Sequence, residues 1–233
     1  MALILHIETA TNICSVALSD NKKLLALRET AKTNSHSELV TVFIQEVMAE
    51  AKTALQQIDA VSVSMGPGSY TGLRIGVSVA KGLCYALDKP LISVGTLTAM
   101  AYGAVQQTTE MDSTLLLCPM LDARRMEVYY ALYTKNLDEF QEPAAEIMDE
   151  HSFSELLKSH NLLLFGDGME KCKTLFEKNS AVNFIDGFLP SAKFMILPAL
   201  EKFRTGNFEN VAYFEPFYLK DFIAGKPNVK GLK

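Results

Sequence analysis

The sequence predicts an α/β fold, and three observations carry that reading. Short, β-branched apolar runs alternate with longer stretches of helical period. The chain opens on three such runs, residues 2–8, 13–19 and 23–29, joined by tight polar turns. Twice, a run then leads through a glycine-rich turn directly into a helical pattern, at residues 60–87 and again at 162–178.

Composition narrows the class. A chain of 233 residues can form one large domain or two small ones. Hydrophobic residues at 48% and charged residues at 21% suit a globular protein. A net charge of −5 argues against a chain that grips nucleic acid alone, because phosphate neutralisation needs a basic surface. No apolar run reaches 18 residues, and the opening MALILHIETA has no basic n-region, so neither a membrane span nor a signal peptide is expected. Cys14, Cys84, Cys118 and Cys172 form no CxxC pair and read as buried thiols of a cytoplasmic protein.

Each element has a local reason. Residues 2–8 form a first strand ending on Glu8, and Thr9-Ala10-Thr11-Asn12 is the polar turn after it. An acidic residue there, followed by a Thr-rich hairpin, can hold a metal and a phosphate, so Glu8 and Thr9 are candidate nucleotide or anion residues. Asp20-Asn21 signals the next hairpin. Residues 37–55 are helical, opened by a Ser35/Glu38 capping box. Their apolar residues cover roughly 240°, where one buried face needs only a little over 100°. The excess implies burial on two sides. His36 has Val40, not a metal ligand, one turn on, and reads as an exposed or capping histidine.

The stretch AVSVSMGPGSYTGLRIGVSVAKGLCYAL, residues 60–87, is a buried strand, a turn and a helix stopped by Asp88-Lys89-Pro90. Arg74, Ser78, Lys81 and Tyr85 fall on one narrow polar strip. Gly72, Gly76 and Ala80 leave a groove, and each helical glycine costs about 0.5–1 kcal/mol relative to alanine. Two compensations fit, and both can hold: packing on the chain's own sheet, or contact with another subunit.

A strand at 91–94 and a helix at 96–107 complete the first half, with a polar connection at 106–113. The second half opens with a hairpin, strands at 115–121 and 126–134 about Asp122-Ala123-Arg124-Arg125. Residues 136–150 are acidic and read as irregular. Residues 152–160 read as a short helix with a Ser152/Glu155 capping box. Gly166-Asp167-Gly168 then opens a helix to Lys178 and can either hold an anion at the helix N-terminus or form a plain tight turn. A strand at 182–185 and a helix at 191–204, kinked at Pro198, come next. A tail with Lys220, Lys226, Lys230 and Lys233 ends the sequence.

No nucleophile–base pair, Walker A loop or HExxH, HxxxH or CxxC metal motif is present, so no metal site is expected.

Five stretches together resemble the TsaB family, also called YeaZ: HIETATNICSVAL, SMGPGSYTGLRIGVSVAKGL, LDARRMEVYYALY, GDG and EPFYLK. They span most of the chain. The resemblance implies an actin/Hsp70/sugar-kinase-like (ASKHA) fold, a degenerate relative of TsaD, with one half at 1–110 and a smaller half at 111–233 whose C-terminal segment can pack back on the first. It implies a non-catalytic dimerisation subunit of the machinery that forms N6-threonylcarbamoyladenosine at tRNA position 37. Its expected partners are a TsaD-like catalytic subunit, bound through the first two long helices, and a TsaE-like ATPase reached through the complex. Contact with tRNA would be indirect, and the chain alone would pair with itself. No cofactor is expected, with ATP only at a subunit junction. The interface residues are expected to be Leu39, Val40, Phe43, Ile75, Gly76, Val79 and Tyr85, with Arg74 and Lys81 as polar contacts, so Gly76→Arg or Val79→Glu should leave the monomer folded and abolish partner binding. Glu8, Thr9, Gly166 and Gly168 are the candidate anion loops. An ATP-binding sugar-kinase-like enzyme is the alternative, and a peptidase a distant third.

Overall fold

The computed structural model describes residues 2–31, 36–108 and 112–220. The first half runs β1 (Leu3–Glu8), β2 (Cys14–Asp20), β3 (Lys23–Thr30), α1 (His36–Glu50), β4 (Ala60–Gly66), α2 (Tyr70–Leu87), β5 (Leu91–Gly95) and α3 (Thr96–Gln107). The second runs β6 (Leu115–Asp122), β7 (Glu127–Tyr133), β8 (Glu139–Ile147), β9 (Asn161–Phe165), α4 (Asp167–Phe176), β10 (Val182–Ile185) and α5 (Ile196–Thr205). The sheet orders are β3-β2-β1-β4-β5 and β10-β9-β6-β7-β8. Read from its other edge, the second sheet repeats the first. In each, an antiparallel three-strand meander continues into two parallel strands.

Strand alternation sorts the core. Leu5, Ile7, Val61 and Val63 point to one face of the first sheet and pack on Val40, Ile44, Val47, Val77 and Ala80 of α1 and α2. Ile4, Ala60, Ile92 and Val94 point to the other face. They join Leu97 and Met100 of α3, and Leu117, Leu121 and Phe165 of the second sheet, in the core between the halves. That face also carries buried polar groups. His6 sits between Ser62 and Ser19, with Nδ1–Oγ and Nε2–Oγ distances of 2.7 and 2.8 Å. Burial holds its pKa down to about 3, so the ring is neutral.

Several local expectations change. The first long helix ends at Glu50, and a short 3-10 turn, Leu55–Gln57, follows it. Ser35 lies outside the described residues. His36 is buried, with Nε2 3.1 Å from the Ile13 carbonyl. The acidic stretch read as irregular contains β8. It is an edge strand, where solvated carboxylates and Pro143 are tolerated because one side needs no ladder partner. The helix expected at 152–160 shrinks to a 3-10 turn, Leu156–Lys158. Its capping box fails because Ser152 turns back to Asp149 and Glu155 pairs with Lys158. The last helix is a 3-10 turn, Ala192–Met195, continuing into α5. Pro198 falls in the first turn of α5, where its missing N–H removes no helical bond. All four cysteines are free and buried.

After α5 the chain returns to the first sheet. Glu209 bridges Leu91, and its Oε1 accepts the Ser93 hydroxyl at 2.5 Å. Phe214 is buried against α2 and its neighbours. The Phe217 N–H donates to the Met65 carbonyl at 2.7 Å. Lys220 then reaches Glu127 of β7. Residues 209–220 thus form a strap that passes α2 and ends on the second half. Lys226, Lys230 and Lys233 lie outside the described residues.

Candidate functional site

Three places hold the candidate residues: the loop after β1, the glycine turn after β9, and the helices α1 and α2.

Glu8 ends β1 with 1% of its surface exposed. Its Oε1 accepts the Ala10 N–H at 2.6 Å. Burial raises its pKa to about 7, with the Ala10, Ser64 and Thr9 hydrogen bonds pulling the other way. Thr9 Oγ1 donates to the Gly72 carbonyl at 2.8 Å, and the Ser69 N–H to the Ala10 carbonyl at 2.6 Å. A Cβ on Gly68, Gly72 or Gly76 would lie 2.2, 2.1 or 2.2 Å from Ala10 or Thr9 atoms. The glycine groove of α2 therefore receives the chain's own β1–β2 loop. Gly76→Arg would drive a side chain into Thr9, so it cannot serve as a surface variant.

The second loop is similarly closed. Gly166 has φ +100° and lies against the Met120 carbonyl, and a Cβ on Gly168 would meet Leu121 backbone at 2.6 Å. Asp167 accepts the Asp122 N–H at 3.1 Å, and its pKa is raised chiefly by burial. A cleft of about 460 Å³ separates the halves, with Thr11, Asn12, Ser69, Arg124, Tyr129 and Lys220 on its wall. Glu8, Thr9, Gly166 and Gly168 are not on that wall. Among the described residues, no group of three or more His, Cys, Asp or Glu side chains could hold a metal ion, and no helix is long and apolar enough to cross a membrane.

On α2 the expected interface residues divide. Gly76, and Val40 on α1, are buried inside the chain itself and leave the surface. Leu39, Phe43, Ile75 and Val79 are half-buried at the margin of the α1–α2 core. By helical spacing Leu39 and Phe43 share a flank of α1 with Glu46 and Glu50, which pair with Arg28 of β3. They look toward the sheet edge, away from α2. Lys81 gives its Nζ to the carbonyls of Ala212 and Phe214 at 3.3 and 2.9 Å, so it grips the strap. Arg74 donates Nε–H to the Tyr218 hydroxyl at 3.1 Å. Tyr85 is 87% exposed.

Two features stand outside the expected interface residues. Gly82 lies on the exposed strip, and among the described residues a Cβ there would meet nothing within 4 Å. The strap was visible only as the apolar beats Phe214, Phe217 and Tyr218, without a helical or strand period to announce it.

A family model described as "TsaD: tRNA N6-adenosine threonylcarbamoyltransferase" matches residues 28–224. The chain is 34% identical to the tRNA threonylcarbamoyladenosine biosynthesis protein TsaB of Escherichia coli, over 96% of each chain. It is 30% identical to the protein of that name from Haemophilus influenzae, over 96% of this chain and 95% of the relative. Among solved structures it is similar to YeaZ from Pseudomonas aeruginosa, with a TM-score of 0.76 and 23% identity over 94% of this chain and all of that one. It also shares its fold with the activator of 2-hydroxyisocaproyl-CoA dehydratase from Clostridium difficile, at TM-score 0.51 and 8% identity over 88% of this chain and 97% of that one. The paired sheets are those of the actin/Hsp70/sugar-kinase fold, and the chain belongs to the TsaB (YeaZ) family of TsaD-like proteins.

Proposed function

We propose that this chain serves the formation of N6-threonylcarbamoyladenosine on tRNA as a non-catalytic subunit. It docks a TsaD-like catalytic partner through the outward side of α2 and the adjoining side of α1. The observation that carries this is Gly82 beside Tyr85. A mid-helix glycine with open space around it lowers helix stability and has no packing reason among the described residues, and the tyrosine one turn away is 87% exposed. A close-approaching partner element gives both a role, since tyrosines anchor interfaces and glycine admits a backbone. Val42 on α1 is a further exposed apolar side chain.

The absence of a catalytic role is supported by the loops. Both glycine turns pack on neighbouring backbone, and Glu8 is sealed from the cleft, where a kinase-like site would need it to reach a phosphate. In this reading a TsaE-like ATPase joins through the assembled complex, in the cytoplasm. Nucleotide sits at a subunit junction, tRNA is held by the partner, and the chain alone pairs through the same face.

Light scattering on size-exclusion peaks tests it, with the chain alone and mixed with the TsaD-like protein of the same organism. A homodimer that converts to a heterodimer is expected. Gly82→Arg should keep the circular dichroism spectrum and lose both assemblies. A monomer indifferent to the partner, or a Gly82→Arg variant that assembles normally, would overturn the reading.

A further inference from the structure

Arg74 is exposed on the α2 strip, yet it is held in place. Its guanidinium carbon lies 4.0 Å from the centroid of the Tyr70 ring and 6.0 Å from that of Tyr218. The two rings stand 5.0 Å apart, tilted by 41°. The Tyr218 hydroxyl accepts its Nε–H. Tyr218 comes from the strap, 144 residues along the chain. Among the described residues no carboxylate pairs with Arg74, whereas Arg28 has two and Lys171 and Lys173 one each. A planar cation stacked on tyrosine has already lost much of its rotamer freedom, so it can meet a ligand without paying that entropy again.

We propose that Arg74 is the charged anchor of the docking face, positioned by Tyr70 and Tyr218 to receive a carboxylate of the catalytic partner. This rests on the docking role argued above and names the chemistry its partner must bring. A protein carboxylate fits better than a nucleic-acid phosphate. Gripping a phosphate backbone takes several cations, and here the neighbouring Lys81 is engaged by the carbonyls of Ala212 and Phe214. Around Arg74 the strip offers Ile75, Ser78, Val79 and Gly82, an apolar setting in which one charge-assisted, bidentate pair gives both orientation and affinity. Tyr218 does not reach the partner in this scheme; it is a positioning residue acting through Arg74.

The test measures the dissociation constant for the TsaD-like protein across a salt series, with thermal melts as a check on folding. Arg74→Ala should weaken binding about tenfold or more and flatten its salt dependence. Tyr218→Ala should weaken it less, and the double variant should bind like Arg74→Ala alone, because one residue acts through the other. Arg74→Met, which keeps the stem, replaces Arg74→Ala if the latter melts early. Unchanged binding of the Arg74 variants, with Gly82→Arg still abolishing it, overturns the anchor and leaves the docking face standing. Additive losses with an unchanged salt slope overturn the positioning role. Loss of tRNA retention with intact partner binding overturns the choice of a carboxylate. Normal binding by Gly82→Arg as well removes the docking role on which the proposal rests.

Discussion

The two halves follow one strand plan and differ in what covers it. Between β3 and β4 the first half places the 15-residue α1, whereas between β8 and β9 the second has the three-residue 3-10 turn at Leu156–Lys158. After the glycine turn the first half has the 18-residue α2, against 10 residues in α4. The second half still closes its outer core, with Met169, Cys172 and Phe176 on Leu116, Cys118 and Met120. Covering such a sheet therefore needs little helix. The longer helices of the first half provide more surface than their sheet requires, and their outward side is where Gly82, Tyr85 and Arg74 stand. The strands they follow also end differently. Glu8 at the end of β1 is sealed and, among the described residues, has no cation in contact, whereas Asp122 at the end of β6 is exposed and paired with Lys171.

The largest effect expected separates the inward and outward sides of α2. Gly76→Val should destabilise the fold by about 3 kcal/mol or more in urea unfolding, because its side chain must displace Thr9. Gly82→Val should change stability by less than about 1 kcal/mol. Equal losses at the two sites would erase the distinction between a packed side and a free one.

The strand ends give the next test. Folding raises the Glu8 pKa from 4.5 to about 7, so the folded chain holds this proton more tightly than the unfolded one. The Glu8 contribution to stability should fall as pH rises from about 4.5 through about 7, by roughly 3 kcal/mol in all, and then level off. His6 acts in the opposite sense: its pKa falls from 6.5 to about 3, so its contribution grows as pH rises over that interval. The two slopes oppose one another near pH 5–6. In Glu8→Gln the decline toward pH 7 should vanish and the His6 rise remain. Thermal melts between pH 4 and 8 follow both, and a persistent decline in the variant would place its origin elsewhere.

Two smaller effects refine the picture. Gly82→Ala should stabilise the free chain by about 0.5–1 kcal/mol, read by denaturant midpoint at unchanged slope. Lys220→Ala removes a partly exposed ion pair between the strap and β7 and should cost about 0.5 kcal/mol or less. A much larger loss would show that the strap's end, not the core around α3, holds the halves together.

Much of this was legible in the residues. The β-branched runs, the two strand–glycine–helix passages and the Asp20-Asn21 turn, where Asn21 has φ +51°, each carry local chemistry that fixes their structure. β8 was hidden because an edge strand with one solvated side can be acidic and hold Pro143. The apolar excess of α1 and α2 was readable, but periodicity sorts residues into faces without saying what lies against each face. Thus Gly76 and Val40 seemed available until the loop after β1 and the sheet were seen to cover them. Arg74 stood out in the sequence as a charge on a bland helix, while its clamp was invisible, since Tyr218 lies far along the chain.

The strap also sets an order of events during synthesis. Arg74 and Lys81 find their partners at Tyr218, Ala212 and Phe214, which are synthesised 144, 131 and 133 residues later. Until then the helix can be folded while its outward face is unfinished. A nascent or prematurely terminated chain would present α2 without a fixed guanidinium, so under the proposed docking role only a chain made through Tyr218 offers the finished face.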